Sequence, residues 1–107
     1  KASYSVNEAA KILSNAGVGI GQKSLYEMMA GLGWIFRRES HWMAKADRVE
    51  AGHLMMRAYE SWGKRSDGTR MDFPPQVRIT RKGLTLLHRH LAEQNLDLHI
   101  DELEEAA

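Results

Sequence analysis

Cysteine is absent from the 107 residues, which excludes disulfides and thiolate metal sites. No apolar run approaches the roughly 20 residues that a bilayer span requires, and no signal-peptide pattern appears. A soluble protein without a membrane partner is therefore expected. Proline occurs only twice, as the adjacent pair Pro74-Pro75, so glycine supplies most of the punctuation. Catalytic patterns are missing as well. No nucleophile elbow, phosphate-binding loop or pair of carboxylates stands out, and "GVGIG" is too short and wrongly placed for a dinucleotide fingerprint. His88 and His90 are two apart on an expected helix and point away from each other, whereas helical metal pairs use i, i+4 spacing. No metal, no cofactor and no enzymatic activity are expected.

Apolar residues make up 43% of the chain and include three tryptophans, enough for one modest core. Because the chain opens "KASYSV" without an initiator methionine, it is read as part of something longer. Its charge is unevenly distributed. The formal net charge is +1, yet five of the fourteen acids (Asp97, Asp101, Glu102, Glu104, Glu105) fall after residue 96. Residues 1–96 then carry fifteen basic against nine acidic side chains, a net of +6. Such a body favours polyanions, with an acidic tail that points away from them or shields them, although plain solubilisation would use the same charges.

"YSVNEAAKIL" starts a helix: Ser5 stands as N-cap, and Glu8 three residues later completes a capping box. Val6, Ala9, Ala10 and Leu13 fall at i, i+3, i+4, i+7 and give it one apolar face. The glycines of "SNAGVGIG" place a loop over residues 14–21. A second helix follows from about Gln22 to Leu32, with Leu25, Met28, Met29 and Leu32 inward and Gly33 as its C-terminal cap. The pair outlines a helix-turn-helix unit or a generic helical pair, since the loop exceeds the three to four residues usual in that motif.

After Gly33 the pattern alternates, sending Trp34, Phe36 and Arg38 to one side and Ile35 and Arg37 to the other. Glu39-Ser40 can turn the chain and "HWMA" can return as the partner strand. A hairpin directly after the second helix is where a winged-helix domain carries its wing. "KADRVEAG" is an irregular or helical link. "HLMMRAYESW" fits two periods: Leu54, Met56 and Ala58 alternate as in a strand, while Leu54, Met55, Ala58, Tyr59 and Trp62 suit a helix. "GKRSDGTR" holds an Asp-Gly turn signal and is expected as a hairpin loop. "PPQVRIT" supplies a strand, and Thr80 caps the helix "RKGLTLLHRHLAEQN", where Leu84, Leu87 and Leu91 face one way. The tail "LDLHIDELEEAA" is one more helix or a frayed end, and its Leu96, Leu98, Ile100 and Leu103 can reach a partner chain.

Taken in order, "YSVNEAAKIL", "GIGQKSLYEMMAGLGWIFRRESHWMAK", "VEAGHL" and "PPQVRITRKGLTLLHRHL" resemble the C-terminal KilAC-type domain of phage antirepressor proteins over roughly residues 4–91. The resemblance implies a DNA-binding domain, carried behind a variable N-terminal domain in a protein that relieves repression of a phage. It also implies a bacterial host cytoplasm, and it turns residues 53–62 toward strand. The acidic tail and the "GKRSDGTR" loop stand outside the pattern. Expected, then, is an α+β fold: a small winged-helix-like domain over residues 1–95, with a helix-turn-helix, β-hairpin strands and a C-terminal helix, and a tail or helix over residues 96–107.

Helix-turn-helix units present the solvent face of their second helix to the major groove, which nominates Gln22, Lys23, Ser24, Tyr26 and Glu27. Gln can pair with adenine, Lys with guanine or phosphate, and Ser and Tyr with phosphate. Glu27 is repelled by phosphate unless it accepts from a cytosine amine, and the same residues are also what a merely solvated helix face would carry. Arg37 and Arg38 lie on opposite strand faces, so one can reach phosphate or the minor groove while the other packs its stem over Trp34 or Trp42. The tryptophans themselves are read as wing-to-helix packing. Lys45, Arg48, Lys64, Arg65 and Arg70 are candidate backbone contacts, whereas Arg78, Arg81 and Lys82 lie too far off. The expected partner is duplex DNA. The alternative is a protein-interaction module that binds a phage repressor, or a homo-oligomer formed through the C-terminal tail.

Overall fold

The computed structural model describes residues 2–58, 62–72 and 74–106. Strand β1 (Ser3–Ser5) leads straight into helix α1 (Val6–Asn15) through Ser5. The Ser5 hydroxyl accepts from the Glu8 amide at 3.1 Å and the Glu8 carboxylate accepts from the Ser5 amide at 3.0 Å, so the expected capping box is present. Val6, Ala9, Ala10 and Leu13 are all buried.

Helix α2 (Gln22–Gly31) buries Leu25 and Met29 fully and Met28 in part. Leu32, expected inside, is exposed. Its helix ends in a reversal: Gly33 adopts φ +76°, its amide bonds Ala30 O, and the Trp34 amide bonds Met29 O. That paired closure at a left-handed glycine redirects the chain, and Trp34, 5% exposed, enters the core instead of Leu32.

Strands β2 (Ile35–Arg38) and β3 (His41–Ala44) form the expected hairpin, with Arg37 opposite Trp42 and Ile35 opposite Ala44. Trp34 precedes the strand, so the alternation starts at Ile35. Trp34 and Ile35 are therefore both buried and Phe36 is exposed, against the expectation that Trp34 and Phe36 share a face. The turn residues Glu39 and Ser40 both have positive φ, 49° and 69°, as a two-residue hairpin turn requires. Neither residue favours that region. Glu39→Asn with Ser40→Gly is therefore expected to stabilise the domain by about 1 kcal/mol, read as a higher melting temperature with an unchanged hairpin.

Helix α3 (Ala46–Glu50) links to β4 (Leu54–Arg57), then β5 (Trp62–Lys64), β6 (Arg70–Asp72) and β7 (Gln76–Thr80). The segment that fitted both periods is thus strand over Leu54–Arg57 and again from Trp62, with Ala58 in neither element; Tyr59 and the Trp62 side chain, which suited a helix, lie outside the described residues. Strand β7 is central in an antiparallel sheet of order β1-β7-β4, and Val77, Arg78 and Ile79 are all buried there. Between β4 and β7 the chain runs out into the β5-β6 hairpin. Its turn is closed by Arg65 N to Thr69 O (2.8 Å), Gly68 N to Arg65 O (2.9 Å) and the Asp67 carboxylate, which accepts from Thr69.

Helix α4 (Arg81–Ala106) starts at Thr80, whose hydroxyl accepts from the Gly83 amide at 3.1 Å. Leu84 and Leu87 are buried and Leu91 is partly so. The helix does not break near residue 95; the tail is its continuation. Twenty-six residues at ~1.5 Å rise make a rod of about 39 Å, and the molecule extends 66 Å along its longest axis. The fold is α+β, and the α1-α2-hairpin order is compatible with a winged helix.

Candidate functional site

The first turn of α2 and the β2-β3 hairpin enclose an open groove of about 580 Å³ lined by Gln22, Lys23, Tyr26, Glu27, Arg37 and Trp42. Helical spacing puts Gln22, Lys23, Tyr26 and Glu27 along one side of α2, while the two-residue turn sets Arg37 opposite Trp42 across the hairpin. The Arg37 guanidinium lies 4.9 Å from the Trp42 ring centre, and its Nη2 donates to Ser40 O at 2.9 Å. Trp42 in turn stacks on Tyr26, with centroids 5.8 Å apart and planes 14° from parallel. Helix and hairpin are thus joined by a guanidinium–indole–phenol stack, the wing-to-helix packing expected of Trp42. The cation and the rings remain partly open to the groove. At its helical end α2 has Gly21 as N-cap, and no side chain caps the first amides.

Of the sequence-nominated residues, the structure brings Gln22, Lys23, Tyr26, Glu27 and Arg37 into this groove, so it holds one carboxylate beside its two cations. Ser24 is exposed on the same helical turn, and Arg38 is exposed opposite His41 at the hairpin end. Lys45 is exposed at the N-cap of α3. Arg65 and Arg70 sit on the separate β5-β6 hairpin, where Arg65 Nη1 donates to Arg70 O at 2.8 Å. Trp42 is the groove residue that sequence assigned only to packing, and the signal for its second role was the hairpin register.

Arg48 has a different setting. Its guanidinium lies 4.7 Å over the Trp34 ring, and Nη1 meets His53 Nδ1 at 3.2 Å. His53 also stacks on Trp34, with ring centres 5.4 Å apart, and is buried. Burial first, and then the adjacent Arg48 guanidinium, hold the His53 pKa below the usual imidazole value. A neutral ring with an unprotonated Nδ1 is also what an arginine donor needs. Arg48 therefore serves the interior under the hairpin and does not reach the groove.

Against known families, the model of the phage antirepressor protein KilAC domain matches residues 1–94. The chain belongs to that family. No curated protein and no solved structure matches it. Membership assigns the KilAC domain to phage antirepressor-type regulation, and the match ends inside α4, twelve residues before the described helix does. Among the described residues of this KilAC domain, no helix is long and apolar enough to cross a membrane.

Proposed function

We propose that this KilAC domain binds duplex DNA as part of a phage transcription regulator, with the α2-hairpin groove as the contact surface and no catalytic step of its own. The observation that carries this reading is the convergence of Gln22, Lys23, Tyr26 and Arg37 on one groove beside uncapped helix amides. Lys23, Arg37 and the α2 amides suit phosphate, while Gln22 has the donor–acceptor pair that matches an adenine edge. Arg38, Lys45 and the β5-β6 residues Arg65 and Arg70 add cationic positions for neighbouring phosphates.

Titration of the chain against a random duplex at two salt concentrations tests the proposal. Affinity is expected to fall steeply with salt, and Lys23→Glu with Arg37→Glu is expected to weaken binding at least ~10-fold and to flatten the salt slope. Retention of no duplex at low salt would defeat the reading. A second reading, in which the domain grips a phage repressor, is favoured by the exposed apolar side chains Leu32, Phe36 and Met55. It predicts repressor capture that persists in the Lys23→Glu, Arg37→Glu variant and depends little on salt.

A further inference from the structure

From residue 93 onward every described position of α4 is exposed, including Leu96 (60%), Ile100 (42%) and Leu103 (71%). These three recur at i, i+4, i+7 and so share one side of the helix. Ala92 and Ala106 extend the same stripe in both directions. In a heptad frame Leu96 and Leu103 occupy a, while Ala92, His99 and Ala106 occupy d. We propose that this stripe is the seam of an antiparallel contact with a second copy of the chain.

Where the acids sit points to a second copy. Asp97, Asp101, Glu104 and Glu105 fall at b, f, b and c, on the side away from the stripe. Two such helices can close on their leucines without setting those acids against one another. A basic partner laid along the stripe would gain no ion pairs from them.

Access and charge order give the direction. Nearer the body the same side of α4 meets the domain: Lys82 Nζ donates to Ala51 O at 2.9 Å, Thr85 borders a cleft with Tyr4 and Ile12, and Ala92 packs in part against the core, while Arg89 is exposed. Open access for a second helix is therefore along residues 93–106, where every described position is exposed. Leu98 points elsewhere, lining a cleft with Gly17, Val18 and Leu91. The stripe thus has a basic end at Arg89 and an acidic end flanked by Glu102 at g. Antiparallel alignment sets Leu96 near His99 of the other copy, and Arg89 beside that copy's last turns, where Glu102 flanks the seam. Parallel alignment would instead bring like charges together at both ends.

Sedimentation equilibrium of the 107-residue chain, run from low to high micromolar concentration, tests this inference. A monomer–dimer equilibrium is expected. Leu96→Lys with Leu103→Lys should weaken it more than ~10-fold, with circular dichroism unchanged and the melting temperature unchanged at concentrations where the parent is monomeric, because both side chains are exposed in the single chain. Arg89→Glu should weaken it too, and adding Glu102→Arg should restore it. A chain that stays monomeric throughout, or a double-lysine variant that dimerises like the parent, overturns the seam. Dimerisation indifferent to Arg89→Glu overturns the antiparallel direction.

Discussion

Gly83→Ala is expected to destabilise the domain by about 3 kcal/mol or more, read as a large drop in melting temperature or in the urea midpoint. At an exposed helix position the same change would stabilise by nearly 1 kcal/mol, so the sign is diagnostic. Gly83 lies in the first turn of α4, buried against the start of β4. A Cβ there would overlap the His53 carbonyl oxygen and lie 2.9 Å from its carbonyl carbon and 3.1 Å from its Cα. All three are backbone atoms, so no side chain can swing aside. The same carbonyl accepts from the Thr80 amide at 3.1 Å and from the Thr80 hydroxyl at 3.1 Å. Pushing it away would disturb the β4-β7 join and the cap of α4 together. Unchanged or increased stability would show that α4 does not approach β4 this closely.

Arg78→Met is expected to cost about 3 kcal/mol. Arg78 is 7% exposed on the central strand. Its Nε donates to the Ser3 hydroxyl at 2.8 Å and its Nη2 to the Ser3 carbonyl at 2.9 Å. Methionine fills similar volume but leaves two buried acceptors of β1 without that donor. The Glu8 carboxylate, 3.8 Å from Nη2 and partly exposed, adds little. Arg78→Lys should rescue only a small part, because one ammonium cannot reproduce the fork of donors. Ser3→Ala removes a single hydroxyl and should cost roughly 1 kcal/mol. Equal losses for Ser3→Ala and Arg78→Met in urea unfolding would contradict the carbonyl contact.

Where information is local, sequence and structure agree. Ser5 and Glu8 cap α1, Gly33 ends α2, and Glu39-Ser40 turn the hairpin, because each depends on a backbone geometry set within four residues. Leu32 was misplaced because helical periodicity cannot register the reversal at Gly33, whereas Trp34 packs inside as expected. Arg48 and Arg78 read as surface cations, since the partners that bury them, Trp34 with His53 and Ser3, come from other parts of the chain. The groove was half legible: α2 spacing gave Gln22, Lys23 and Tyr26, while Trp42 joined them only through the hairpin register.

The position of β7 between β1 and β4 governs the order of folding. Ser3 pairs with Thr80, and Leu54 with Ile79, so neither edge strand has its ladder partner until residues 76–80 are available. The α1-α2-hairpin half, built from contacts within some forty residues, can form early at low loop-closure entropy. Sheet closure then has to bridge most of the chain, and slow refolding of this domain should track substitutions at Arg78 more than those at Leu25.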